Sequence, residues 1–193
     1  MRCFSCSKLS FKIICQRCTE QLFVPAITTR KVGTLDVISF FKYSTLETLL
    51  HSKHKPEGYR IYKALADMTM KPFIEAFVAN DKRDVYIVGI DEYVKSGYAH
   101  VALLTRAMRT KSSTPQYSAL MAQNRVNYSG KSLQFRLENP REFHYTGKPD
   151  IDVILVDDII ITTGITLQEA QKVLISHGVN VLFALTLADV EES

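Results

Sequence analysis

Residues 152–167, DVILVDDIIITTGITL, decide how this chain folds. An apolar run, Val153 to Val156, leads into two adjacent carboxylates, Asp157 and Asp158. Threonines around a glycine follow: Thr162, Thr163, Gly164 and Thr166. A short continuous apolar run is the pattern of a strand covered on both faces. GITLQEAQKVLISHG (164–178) then reads as a helix, and VNVLFALTL (179–187) as the next strand. Upstream, DVYIVGI (84–90) reads as a strand and YAHVALLTRAMR (98–109) as a helix. Strands alternating with helices predict an α/β domain with a parallel sheet and flanking helices.

Ligands of open α/β sheets sit beyond the carboxyl ends of the strands. The reading places Asp157 and Asp158 at such an end. The loop after them runs into a helix N-terminus, where backbone N–H groups and the helix dipole favour an anion. Gly164 permits close approach of a ligand, and the threonines add hydroxyl donors. Two carboxylates beside an anion site repel a phosphate unless they face hydroxyl groups or a divalent cation. A phosphorylated sugar with vicinal hydroxyls satisfies both halves. The alternative is that the acids cap a turn and the threonines cap the helix.

All four cysteines lie in the first 18 residues, as Cys3–Cys6 and Cys15–Cys18. Two C-x2-C loops can bring four thiolates to one tetrahedral zinc ion, and a closed four-sulfur shell is structural. Disulfides are the alternative, disfavoured in the cytosol that the rest of the chain suggests. Arg2, Lys8, Lys12 and Arg17 surround the cysteines. They form either a face for nucleic-acid phosphates or a solvated one.

The 193 residues allow one globular domain with a small appendage. The net charge of +4 permits a nucleic-acid or phosphate partner without requiring one. No apolar run approaches the ~20 residues of a membrane helix, and no secretory leader is read at the N-terminus. TLDVISFFKY (34–43) reads as a strand, expected in a small sheet or hood outside the main domain. HSKHKPEGYR (51–60) reads as a basic loop. A helix follows with Ile61, Leu65, Met68 and Phe73 on one face, kinked or split at Pro72. Lys53, His54, Lys55, Arg60 and Lys63 cluster around Tyr59 and Tyr62. Rings between cations suit the stacking of unpaired bases; a solvated surface is the alternative. YSGKS (128–132) imitates the end of a nucleotide-binding loop, but Arg125 occupies the place of its first glycine. The histidines lack metal spacing, although His51 and His54 could share a helix face.

The 152–167 stretch resembles the phosphoribosyl pyrophosphate signature of type I phosphoribosyltransferases: apolar strand, two acids, then Thr-Thr-Gly and a further hydroxyl residue. Three isoleucines, Ile159 to Ile161, separate the acids from Thr162 where that pattern has two residues. The extra one is expected to be absorbed by a bulge or a longer loop. With the four-cysteine knuckle and the basic middle segment, nearly the whole chain resembles the competence protein F family. The resemblance implies a parallel-sheet, phosphoribosyltransferase-like α/β core with a small N-terminal zinc knuckle and a hood segment, divided as 1–25, 26–83 and 84–193. It implies ribose and Mg²⁺ binding by Asp157 and Asp158, and 5′-phosphate binding by Thr162, Thr163, Gly164, Ile165 and Thr166. It implies pyrophosphate binding by Lys95 and Gly97, and structural zinc on Cys3, Cys6, Cys15 and Cys18. Implied partners are phosphoribosyl pyrophosphate, single-stranded DNA along Lys53, Lys55, Tyr59 and Arg60, and other DNA-uptake proteins. The implied setting is the cytoplasm, or the inner membrane as a peripheral protein. The implied role is handling of incoming single-stranded DNA in natural transformation. The alternative is an active phosphoribosyltransferase with a base or nucleotide acceptor. The residues themselves assign no catalytic group.

Overall fold

The computed structural model describes residues 1–90, 97–124, 126, 128, 131–160 and 163–190. In chain order the elements are α1 (Gln16–Gln21), β1 (Thr28–Val32), β2 (Leu35–Lys42), α2 (Tyr43–Leu50), α3 (Gly58–Met68), α4 (Met70–Asp81), β3 (Val85–Gly89), α5 (His100–Ala107), β4 (Ser113–Gln116), β5 (Leu120–Ala122), α6 (Leu133–Glu138), β6 (Phe143–Tyr145), β7 (Asp152–Ile160), α7 (Ile165–Ser176) and β8 (Asn180–Asp189).

Six strands form the main sheet in the order β1-β2-β8-β7-β3-β4. All neighbours in it are parallel except β1, which closes one edge as an antiparallel hairpin with β2. The fold is therefore α/β with a mostly parallel sheet, as the alternation of apolar runs predicts. The strands β7 and β3 owe their central places to continuous apolar sequence. Val153 to Val156 and Ile87 to Val88 are all buried, which only a two-sided covering achieves.

The placement of β2 corrects the sequence reading. That strand was expected in a separate small sheet, yet it pairs with β8 along Val37↔Ala184 to Lys42↔Asp189, inside the main one. The reason is its composition. Leu35, Val37, Phe40 and Phe41 are buried, and these residues point to both faces, so an exposed sheet could not shelter them.

Two apolar clusters lie on the two faces. On one face Phe40, Ile154, Val156, Leu185 and Leu187 pack with Leu46 of α2, Ile61 and Leu65 of α3, Ile74 of α4, and Val101 and Leu104 of α5. On the other, Val37, Val153, Leu155 and Ala184 pack with Leu167, Ala170 and Leu174 of α7 and with the β5/β6 ribbon. Each buried Leu, Ile or Phe side chain contributes about 1.5–3 kcal/mol. The knuckle joins the larger cluster: Cys3, Ile14, Cys18 and Phe23 are continuous with Phe40 and Phe41.

The helix expected to break near Pro72 does so at Thr69, whose backbone (φ −120°, ψ −70°) separates α3 from α4. Pro72 is then the third residue of α4. A continuous helix would drive its ring against the carbonyl of Met68. Among the described residues, no helix is long and apolar enough to cross a membrane.

Candidate functional site

The strand β7 does not stop at the acids. Ile159 and Ile160 extend it, pairing with Ala188 and Asp189 of β8. The one register shift of this pair lies upstream, between Val153 and Ile154. Within the described residues the isoleucine run therefore lengthens the strand and makes no bulge there. Asp157 and Asp158 stand three and two residues before its end.

Neighbouring residues of a strand face opposite sides, and this separates the two acids. Leu155 and Val153 share the parity of Asp157 and belong to the α7 face. Val156 and Ile154 share that of Asp158 and belong to the face of α3 and α5. Asp157 is half-buried, and its Oδ1 accepts the backbone N–H of Asp158 at 2.8 Å. Its cross-strand neighbour is Thr186, which in turn pairs with Ser39 of β2. The hydroxyls of Ser39 and Thr186, both fully buried, hydrogen-bond at 2.7 Å. A polar row thus crosses three central strands on the α7 face.

Asp158 is 6% exposed. Its Oδ2 accepts from Tyr62 Oη at 3.1 Å and from Lys53 Nζ and His100 Nε2 at 3.3 Å each. Burial pushes this carboxyl up, but the charges of Lys53 and His100 and the hydrogen bonds from His100 and Tyr62 outweigh it, and hold Asp158 well below the usual carboxylate range. Burial, followed by the Asp158 charge, drives the Tyr62 hydroxyl in the opposite direction, well above its ordinary value. Tyr62 is therefore a neutral donor at any physiological pH. Sequence reasoning missed His100 altogether and assigned Tyr62 to base stacking. Tyr62 is fully buried and cannot stack on a ligand.

Of the residues expected to form a phosphate loop, Thr163 to Thr166 are described, and they lie at the start of α7. Gly164 has φ +60° and is the N-cap of α7. A Cβ there would lie 2.6 Å from Val32 Cγ1. Only glycine fits both the backbone and the space. Gly164 supplies no capping side chain, so the first-turn N–H groups of Ile165, Thr166 and Leu167 point out of the helix end. Thr163, Ile165 and Thr166 are half-buried, and the Thr163 carbonyl accepts from Gln168 Nε2 at 3.3 Å. Thr162 and Lys95 lie outside the described residues. Gly97 is exposed with φ +80°.

Of the basic cluster, Lys55 and Arg60 are exposed, and Tyr59 is 42% exposed. Tyr59 packs edge-on against Tyr98, with centroids 6.0 Å apart. Lys63 is paired with Asp67 at 2.7 Å. His51 caps the end of α2 and bonds Tyr43 Oη through Nε2 at 3.2 Å, while His54 lies in the following turn, so they share no helix face. The YSGKS resemblance dissolves locally: Ser132 caps α6, its Oγ accepting from Phe135 N at 3.2 Å.

At the N-terminus the four thiol sulfurs lie within 4.8 Å of one another. Cys3 and Cys18 are 3.9 Å apart and Cys6 and Cys15 3.7 Å. Zn–S bonds of about 2.3 Å in a tetrahedron require S···S of about 3.8 Å, so the four cysteines fit one zinc ion. These separations are far beyond the roughly 2.05 Å of a disulfide. Burial pushes the Cys3 thiol up, but hydrogen bonds from the backbone at Cys15, Cys6 and Ser5 outweigh it and lower it to about 6. A hydrogen bond with Ser5 lowers the Cys18 thiol, but burial and the hydrogen bonds with Cys15, Cys6 and Cys3 outweigh it and raise it to about 12, so the two buried thiols shift in opposite directions.

No family model and no curated relative matches the chain. Among solved structures it is similar to a hypoxanthine phosphoribosyltransferase from Staphylococcus aureus, with 19% identity over 66% of this chain and 64% of that one, at a TM-score of 0.42. It is also similar to UMP synthase of Leishmania donovani, with 16% identity over 73% of this chain and 24% of that one, at 0.40. The adenine phosphoribosyltransferase of Saccharomyces cerevisiae shows 16% identity over 89% of this chain and 88% of that one, at 0.44.

Proposed function

We propose that this chain binds phosphoribosyl pyrophosphate with Mg²⁺ at the carboxyl end of its sheet, and that it handles single-stranded DNA as a competence protein. The observation that carries the first part is the coincidence of Asp157 and the N-terminus of α7 on one face of the sheet. A carboxylate for ribose hydroxyls or a cation stands beside N–H groups for a phosphate. Asp157 suits Mg²⁺ by its chemistry, since that ion is held by one or two carboxylates together with substrate phosphates. When bound it would neutralise charge on the pyrophosphate. In this reading Asp158 contributes from behind, fixing the end of β7 through its buried donors, and Thr163 to Thr166 hold the 5′-phosphate.

The DNA part rests on exposed Lys55, Arg60 and Tyr59 beside the same end of the sheet, and on the basic residues of the knuckle. Cys3, Cys6, Cys15 and Cys18 would hold a zinc ion, which when bound would keep that knuckle folded. The second reading, a phosphoribosyltransferase with a base or nucleotide acceptor, is favoured by the same residues. Calorimetry with phosphoribosyl pyrophosphate and Mg²⁺ tests the pocket. Binding by the wild type and its loss in Asp157→Ala support it, and equal binding by both defeats it. Pyrophosphate release on incubation with candidate bases separates turnover from binding alone.

A further inference from the structure

Three donors converge on Asp158 Oδ2, and they are not equivalent. Tyr62 is fully buried and His100 is 7% exposed. Lys53 alone reaches solvent, with 30% of its side chain exposed. Asp158 therefore has two permanent buried donors and one that can leave without stranding a buried carboxylate.

The base of Lys53 is held firmly. Its carbonyl accepts from Tyr98 Oη at 2.7 Å. Gly58, at the start of α3, packs so closely on the Ser52 carbonyl and Tyr98 Oη that a Cβ would collide with both. A flexible four-carbon stem thus projects from a fixed backbone at the carboxyl end of β7. It does so from the α3/α5 side, opposite the α7 N-terminus. A ligand lying across this end of the sheet would meet the anion-favouring helix end on one side and the Lys53 ammonium on the other. A molecule with phosphoryl groups at both ends, joined through a hydroxylated sugar facing Asp157, matches that layout.

We propose that Lys53 is a direct ligand of the pyrophosphate end of phosphoribosyl pyrophosphate, resting on Asp158 in the empty protein and transferring to the substrate on binding. This inference rests on the pocket reading above. It gives Lys53 a substrate-binding role and removes it from the DNA surface.

The test is calorimetry on the full chain with three probes: phosphoribosyl pyrophosphate, inorganic pyrophosphate with Mg²⁺, and ribose 5-phosphate. Lys53→Met should weaken binding of the first two roughly tenfold or more, the value of one charge-assisted hydrogen bond. Ribose 5-phosphate, which lacks the pyrophosphate, should change by less than about twofold. Lys53→Arg should restore most of the pyrophosphate affinity. If Lys53 only supports Asp158, all three probes weaken in the same proportion, and the inference is overturned. Unchanged binding of all three overturns it equally. If the wild type binds none of them, the pocket reading fails and this inference with it. Wild-type binding that is insensitive to Lys53 defeats the inference alone. Thermal unfolding of Lys53→Met guards against misfolding as the cause: a cooperative transition is expected, lowered by less than in Asp158→Ala because Tyr62 and His100 still donate to Asp158.

Discussion

Asp157 and Asp158 are joined by a 2.8 Å hydrogen bond from the backbone N–H of Asp158 to Oδ1 of Asp157, yet their side chains serve opposite faces of β7. One carboxylate lies on the α7 side of the sheet. The other is consumed by a buried cluster. Adjacent identical residues should therefore respond differently to the same substitution.

Asp158→Ala leaves Tyr62, His100 and Lys53 without their common acceptor and should cost about 3–5 kcal/mol, as for removal of one partner of a buried ion pair. Asp157→Ala should cost under about 1 kcal/mol of stability while abolishing ligand binding. Urea unfolding of the two variants checks this. Equal destabilisation would contradict the assignment of the two faces.

The same cluster predicts an acid dependence. The Asp158 carboxyl is held below its unfolded value. Its contribution is complete above that unfolded value, about 3.9, and is lost as pH falls through the folded one. Wild-type stability should thus decline as pH falls below about 5. The decline should be shallower in Asp158→Asn. Parallel acid limbs for the two proteins would show that Asp158 is not a source of it.

Gly164→Ala should be destabilising twice over. The left-handed backbone costs a non-glycine residue about 1–2 kcal/mol, and the added Cβ meets Val32 Cγ1 at 2.6 Å. Val32→Ala removes the second part only. The double variant should then be more stable than the sum of the single changes predicts, by about 0.5–3 kcal/mol. Strict additivity would mean that the loop moves away from Val32 at no cost. Binding of ribose 5-phosphate should weaken in both variants that carry the alanine at 164.

One zinc per chain is expected by elemental analysis. Cys15→Ser should lose it, because metal binding and local folding are coupled. Cys3, Cys18 and Phe23 share a cluster with Phe40 and Phe41. Hydrogen exchange should therefore accelerate in β2 as well as in residues 1–23 on chelation. A zinc-free chain with a folded N-terminus would remove the metal from the account.

For DNA, the pair Lys55→Ala and Arg60→Ala should reduce the salt slope of single-strand binding by about 1.4, at roughly 0.7 per lost phosphate contact. Tyr59→Ala should cost about 1–3 kcal/mol of binding if its ring stacks on a base. Tyr62→Phe should leave DNA affinity unchanged, since Tyr62 is fully buried. Gel-shift titrations across salt measure all three. A wild-type slope in the double variant would place the DNA elsewhere on the protein.

Features set by neighbours in the chain could be read without a structure. Continuous apolar runs announced β3 and β7, glycine and the hydroxyl residues announced the start of α7, Pro72 announced a split helix, and two C-x2-C pairs announced the four-sulfur cluster. Each depends on backbone preference or on ligand spacing over a few residues. Tertiary structure decided what depends on distant partners. The place of β2 beside β8 follows from burial on both of its faces, which alternation along ten residues cannot distinguish from a half-exposed strand. Lys53, Tyr62 and His100 lie 105, 96 and 58 positions from Asp158, and no local pattern ties them to it. As isolated residues a basic-loop lysine, a helical tyrosine and a helix-start histidine are unremarkable. Only the packing of α3, α5 and the turn before α3 against the end of β7 brings their donors to one carboxylate, because a buried charge must find its partners wherever the fold supplies them.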